Sequence, residues 1–431
     1  MTTPPRRRLA SARGLVIDIE PLRRDHDFRR LWAGQSINVI GNQITRVALP
    51  YQVYVLTGST LALAGLVLAQ LVPLLLFTLG GGAIADALDR RRVLFVTQIG
   101  LAITSLALVI LSLQPNPSLP LYFVLAFVAS GFSAVEWPTR SSATPRLVPA
   151  ERLRAAIALG QLSYNGGSVI GPAVAGILIG VVGVAGAFAV DVATYAVSLA
   201  MILRIRPIPP IGEPGRPSLA AIREGLSFVR ARRLILSTFA IDLNAMIFGS
   251  PRTLYPALAL DIFKVGPVGL GLLTAAPAAG AFAAILLSGG VSRFRRIGRG
   301  ILLAVAAWGA AIVLFGLSTS FFVLALLFLA IAGGADVVSA VFRSSVVQME
   351  TPDELRGRVA SVHILVVTSG PQVGDIEAAV VASAIGAQLS VISGGLLCLL
   401  GVLVVAKAFP ELDAHVVPGL AGRTRSGSPG P

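Results

Sequence analysis

Charge is what this chain has least of: Asp, Glu, Lys and Arg make up 13% of its 431 residues, about half the share of a soluble domain. A water-soluble globule is thereby excluded. Cysteine occurs once, at Cys398 in an apolar run, so neither an internal disulfide nor a thiolate metal site can form. The three histidines show no metal-ligand spacing. There is also no Gly-x-x-x-x-Gly-Lys-Ser/Thr phosphate loop and no nucleophile–base arrangement with a soluble domain to hold it. ATP-driven pumping by this chain alone is excluded, and no enzymatic activity, metal or cofactor is expected. Residues 1–30 are arginine-rich, but they carry Asp18, Glu20, Asp25 and Asp27 and lack an apolar core, so they do not read as a signal peptide.

Hydrophobicity is what the chain has in excess, at 55% of residues with a mean hydropathy of +0.81. About twenty apolar residues at about 1.5 Å each cross a bilayer core. Counted that way, twelve spans are predicted near 31–56, 61–84, 93–113, 121–139, 155–180, 185–204, 233–256, 268–289, 300–317, 321–342, 359–385 and 388–408. The fold class is an all-α membrane protein. Its predicted parts are an N-terminal segment 1–30, a six-helix bundle 31–204, a linker 205–232, a second six-helix bundle 233–408 and a disordered tail 409–431. The cations test this layout. All but Arg46, Arg252 and Lys264 of the 35 lysines and arginines fall on one side of it. By the positive-inside rule that side is cytoplasmic, with both termini and the linker. The net charge of +14 is therefore a topological signal, with the lipid bilayer and no nucleic acid as partner.

A repeat supports two halves. Arg140-Ser141-Ser142, Pro149 and Glu151 recur 203 positions later as Arg343-Ser344-Ser345, Pro352 and Glu354. The same offset carries Gly167 onto Gly370, Gly171 onto Gly374, Arg90 onto Arg293 and Arg92 onto Arg295. Internal duplication of this kind is how many transporters are built.

Two six-span halves with a charged hairpin after span two resemble the major facilitator superfamily over essentially the whole chain. Gly82-x-x-x-Asp86-x-x-x-Arg90-Arg91 resembles that superfamily's loop motif between spans two and three, with Ala87 and Asp89 as departures and Gly289 where Asp86 would map in the second half. Gly167-x-x-x-Gly171-Pro172-x-x-x-Gly176 on span five resembles its exporter-associated motif; the plainer alternative is close helix packing. Phe28-Arg29-Arg30-Leu31-Trp32, Pro145–Pro149 and Pro352–Val359 are similar to the branch that holds enterobactin exporters and macrolide efflux proteins. The resemblance implies a monomeric secondary transporter in the bacterial inner membrane, exporting an amphipathic drug or siderophore against a proton flux by alternating access. An importer or lipid flippase of the same fold, and a non-transporting sensor, remain as alternatives.

Polar groups inside the spans are the candidate site. Gln35, Asn38, Asn42 and Arg46 recur at three-to-four spacing and share one face of span one. An unpaired guanidinium facing lipid costs about 3 kcal/mol or more, so that face should line the cavity or meet the other half. Arg46, Asp242, Asp375 and Glu377, with Arg252, are candidates for substrate or proton handling; fixed interhelical ion pairs are the alternative. Asp375 and Glu377 lie about 200° apart, so only one should face the cavity. The hairpin residues Gly82, Asp86, Arg90 and Arg91, the pair Glu136 and Arg140, the face Gly167, Gly171 and Pro172, and Arg343 are candidates for gating. Asp191, Asp336 and His363 read as structural, and spans three, nine and twelve as almost devoid of polar groups. Arginines suited to an anionic substrate and carboxylates suited to a cationic one both occur, and the mixture does not choose.

Overall fold

The computed structural model describes residues 18–210, 219–287 and 296–415, without the side chains of 78–87 and 219–222. Among the described residues the chain is helical and contains no strand. In order run α1 His26–Thr57, α2 Thr60–Ala87, α3 Arg90–Ser112, α4 Leu119–Leu147, α5 Ala150–Leu203, the linker helix α6 Leu219–Ala231, α7 Arg233–Phe248, α8 Gly266–Leu287, α9 Ile297–Leu317, α10 Phe322–Glu350, α11 Arg356–Ile385 and α12 Ala387–Ala408. Ten segments among the described residues are long and apolar enough to cross a membrane. The continuous α5 supplies two crossings, because Gly183, with φ 73° and ψ 177°, breaks it into two arms; only glycine enters that region without strain. α1 is too polar to join the ten, owing to Gln35, Asn38, Asn42, Gln43 and Arg46. Counting both brings the crossings to the predicted twelve.

Span seven departs from expectation. In place of one helix over 233–256, α7 stops at Phe248 and the chain continues through short turns Arg252–Leu254 and Tyr255–Ala257 and a wide turn Leu258–Ile262. Gly249-Ser250-Pro251 is the cause, since proline removes a donor and clashes with the preceding turn. The freed Gly249 carbonyl accepts a hydrogen bond from the Trp308 indole at 2.9 Å, as a broken helix at membrane depth requires.

Buried apolar side chains show how the halves meet. One cluster joins Ile44, Val53 and Tyr54 of α1, Leu63 and Leu66 of α2 and Ile179 of α5 to Leu258, Leu270 and Leu273, and to Ala378 and Ala382 of α11. All of these lie toward the face opposite the arginines. At the arginine-rich face, Phe28, Leu31, Leu94, Ala143, Leu147 and Ile202 form a separate cluster in the first half, and Val229, Ile235, Phe239, Val359 and Val362 another in the second.

Single helix faces record the same division. Gln161 is exposed, whereas Pro172 and Ile179, about three and five turns further along α5 on the same face, are buried. Arg46 is exposed and Val53, about two turns on, is buried. The halves therefore part at the arginine-rich face and close at the far one. The space between them is a wedge.

Candidate functional site

The apex of the wedge is closed by contacts between halves. A Cβ on Gly176 of α5 would lie 2.5 Å from the Pro267 carbonyl oxygen, and one on Gly271 of α8 would lie 2.5 Å from that of Pro172. No larger residue fits either position without separating the helices. The Tyr54 hydroxyl donates to the Asp261 carboxylate across the same seam. The exporter-like motif is thus divided between two tasks. Gly167 and Gly171 seat α5 on Val39 and Gln43 of α1 in their own half, and only Pro172 and Gly176 touch the other. Gly370 and Gly374, 203 positions later, seat α11 on Met246 and Ile247 in the same way.

The break after α7 places a charged group beside this apex. Arg252 is half-exposed, takes Ser250 as a partner at 3.1 Å and lies 3.3 Å from Asp375 of α11. Asp375 also accepts the Thr253 backbone N–H at 3.2 Å. It thereby caps the first turn after the break. Glu377, on the other side of α11, is half-buried and makes no ion pair among the described residues.

Nearer the arginine-rich face each half holds a buried ion pair. Arg140 donates to Glu136, one turn back on α4, and Glu136 also accepts from Gln98 at 3.0 Å. Arg343, the repeat of Arg140, donates to Ser339 one turn back at 2.5 Å and takes its carboxylate from the neighbouring helix. Its guanidinium lies 2.7 Å from Asp242, with side chains 4% and 3% exposed. Asp336 lies 3.9 Å from the same guanidinium with its side chain 42% exposed. Thr238 and His363 line the space beside the pair. Two carboxylates share one arginine here, Asp242 in contact and Asp336 further off.

The face expected to run along α1 is not uniform. Asn42 accepts from the Tyr195 hydroxyl at 2.9 Å and Asn38 is fully buried, so both look into their own half, while Gln35 is half-buried and Arg46 exposed. Residues four apart drift by about 40° per step, enough to carry a side chain from cavity to core. Span three is corrected as well. Its Gln98 reaches Glu136, and its Ser105 donates to Asp191 at 2.9 Å, a fully buried carboxylate that also accepts from Thr45 at 2.7 Å. Scattered amides and hydroxyls that serve as interhelical links carry no periodic signal.

In the hairpin after α2, the side chains of Gly82 and Asp86 lie outside the described residues, as do Gly289, Arg293 and Arg295. Arg90 reaches Ser142 at 3.0 Å, and Arg91 reaches the Ile202 and Leu203 carbonyls at 3.1 and 2.7 Å. Asp89 accepts the Arg91 and Ile208 N–H groups at 2.9 and 3.1 Å. An aspartate directly before a helix start is a legible cap, and this is why the departure at position 89 is tolerated.

Comparison with known proteins extends these observations. A family model described as transmembrane secretion effector matches residues 18–420. The enterobactin exporter EntS of Shigella boydii serotype 18 is 27% identical over 390 residues, covering 90% of this chain and 92% of that protein. EntS of Escherichia coli O81 matches to the same extent. Among solved structures, a bacterial homologue of the human lysosomal transporter Spinster, inward-facing and unoccupied, superposes with a TM-score of 0.70 at 15% identity, over 91% of this chain and 99% of that one. A mutant of the nucleoside transporter NupG gives 0.71 at 14% identity, over 90% and 99%. Those likenesses show the fold, the major facilitator arrangement.

Proposed function

This chain belongs to the transmembrane secretion effector family, and from that premise we propose that it is a secondary transporter that carries an amphipathic small molecule out of the cell. The observation that supports this reading best is the wedge, in which the same helix faces are exposed toward the arginines and buried beyond the apex. With the arginines cytoplasmic, the wedge opens to the cytoplasm, where an exporter loads. The similarity to EntS supports the outward direction.

In this proposal the protein spans the inner membrane as a monomer, with residues 31–204 and 233–408 as the moving halves and both termini inside. Protons supply the drive, taken up at Asp242, Asp336 or Asp375 when the arginine beside each is drawn away; no bond is made or broken in the cargo. Closing the arginine-rich face falls to the hairpin of Gly82, Asp86, Arg90 and Arg91 and to the ends of α4 and α10, where Glu136, Arg140 and Arg343 stand. Loop orientation is checked with a single cysteine at Asn116, which should react with an impermeant maleimide on intact cells; reaction only after permeabilisation reverses the topology. Function is tested by deleting the gene and comparing intracellular with secreted metabolites, with drug susceptibility in parallel. Retention of one amphipathic compound or sensitisation to a drug is expected. Unchanged secretion and susceptibility with loss of uptake of a nutrient or lipid would replace export by import.

A further inference from the structure

Three arginines on the inner faces of the bundle have carboxylates: Arg140 has Glu136, Arg343 has Asp242 and Asp336, and Arg252 has Asp375. Arg46 has none among the described residues, yet it is exposed. Its direction is set by α1 itself. Ile37 is 39% exposed and lies between the residues that face the two arms of α5: Gly34 and Gly41 abut Ser198 and Thr194 of the second arm, while Ser36 and Gln43 bond to Ser163 and Ser168 of the first. Ile37 therefore points to lipid. Arg46 follows nine residues later, about two and a half turns, and points the opposite way, to the space between the halves. Val53, on the same face about two turns further, is buried in the seam, so Arg46 is the last exposed position of that face before the wedge closes.

None of the other carboxylates among the described residues of the spans pairs with it. Asp191 is turned to Thr45, Ser105 and Thr194 inside the first half, Asp336 is beside Arg343, and Glu377 is on the side of α11 away from Asp375. Across the wedge, the 51%-exposed Arg252 adds a second guanidinium at the apex, and Trp137 and Tyr164, 67% and 46% exposed, offer flat apolar surface below it. A guanidinium kept unpaired at membrane depth carries a cost of about 3 kcal/mol, and its planar fork matches carboxylate, phosphate and similar oxyanions.

Taking the chain as a transporter, we propose that Arg46 anchors an anionic oxygen group of the cargo at the apex, so that the cargo is an amphipathic, aromatic-bearing anion and not a cation. Fluorescein and rhodamine 6G share a xanthene ring system and differ in the sign of their charge. Their equilibrium binding to the purified full-length protein in zwitterionic nanodiscs, read by fluorescence anisotropy, tests the assignment. Wild type should bind fluorescein saturably and more tightly than rhodamine 6G. Arg46→Gln should weaken fluorescein about tenfold or more, or about 1.4 kcal/mol, and leave rhodamine 6G unchanged or tighter, while Arg46→Lys recovers most of the loss. Tighter binding of rhodamine 6G, absence of saturable fluorescein binding, or equal fluorescein affinity in Arg46→Gln would each overturn it. The dye preference of wild type decides even if the variant does not insert. Binding is measured without reference to direction, so a protein that holds fluorescein through Arg46 but imports its cargo defeats the export reading and leaves this one standing.

Discussion

At the scale of single residues, the sharing of Arg343 between Asp242 and Asp336 is the arrangement most able to respond to a proton. Asp242→Asn keeps the shape of the side chain but removes its charge from a pair that is almost fully buried. Stability should fall by on the order of 3 kcal/mol at most, since Asp336 remains beside the arginine. In proteoliposomes the variant should bind cargo as wild type does yet lose most of its response to an imposed pH gradient; an undiminished response removes Asp242 from the coupling. The sequence made some of these pairs legible and hid others. Glu136 and Arg140 are four apart on one helix, and that spacing alone brings them together. Asp242 and Arg343 lie on different helices, and nothing in either neighbourhood names the other. Gln98 and Ser105 are not legible because an isolated polar residue in an apolar run looks the same whether it bonds to a neighbouring helix or lies idle, whereas Asp191, expected to be structural, accepts from Thr45, Ser105 and Thr194 within its own half.

At the scale of helices, small residues decide where backbones touch, since lipid gives helices no hydrophobic reason to associate. The motif on span five was readable, but its division was not. Spacing pairs Gly167 with Gly171 and Pro172 with Gly176, each four apart, and sets Gly176 about half a turn round the helix from Gly167; only the fold shows that the first pair meets α1 and the second meets α8. Gly176→Val places a branched side chain against the Pro267 carbonyl, with the β-carbon alone at 2.5 Å, and should hold the far seam ajar. Transport should fall at least tenfold with normal membrane abundance, and a cysteine at Ile179 should become reactive from outside; wild-type transport by this variant would show that the contact is incidental. The hairpin between α2 and α3 lies at the other face. Asp86→Asn should slow transport and leave insertion intact, and normal rates at equal abundance would deny it a role in closure. The break at Gly249-Ser250-Pro251 was written in the chain, yet a hydropathy count runs across it, because the residues on both sides are equally apolar.

At the scale of the molecule, twelve crossings and two repeated halves followed from hydropathy, cation placement and the offset of 203. The direction in which the halves part did not, because the seam, apart from Tyr54 and Asp261, is built of apolar or small residues that would suit a closed face at either end. That direction carries the functional argument: in the proposed export, cargo would load from the arginine-rich face and leave only when the far seam opens. Gly180 of α5 and Val268 of α8 face each other across the seam, where a Cβ on Gly180 would lie 3.7 Å from Cγ2 of Val268. With Cys398 replaced by alanine, cysteines at these two positions can be joined by oxidation and released by reduction. The rate of cargo efflux from vesicles, measured before oxidation, after it and after reduction, tests alternating access directly. The disulfide should stop efflux, leave binding from the arginine-rich side unchanged, and release a normal rate on reduction. Full efflux with the disulfide quantitatively formed would contradict the account.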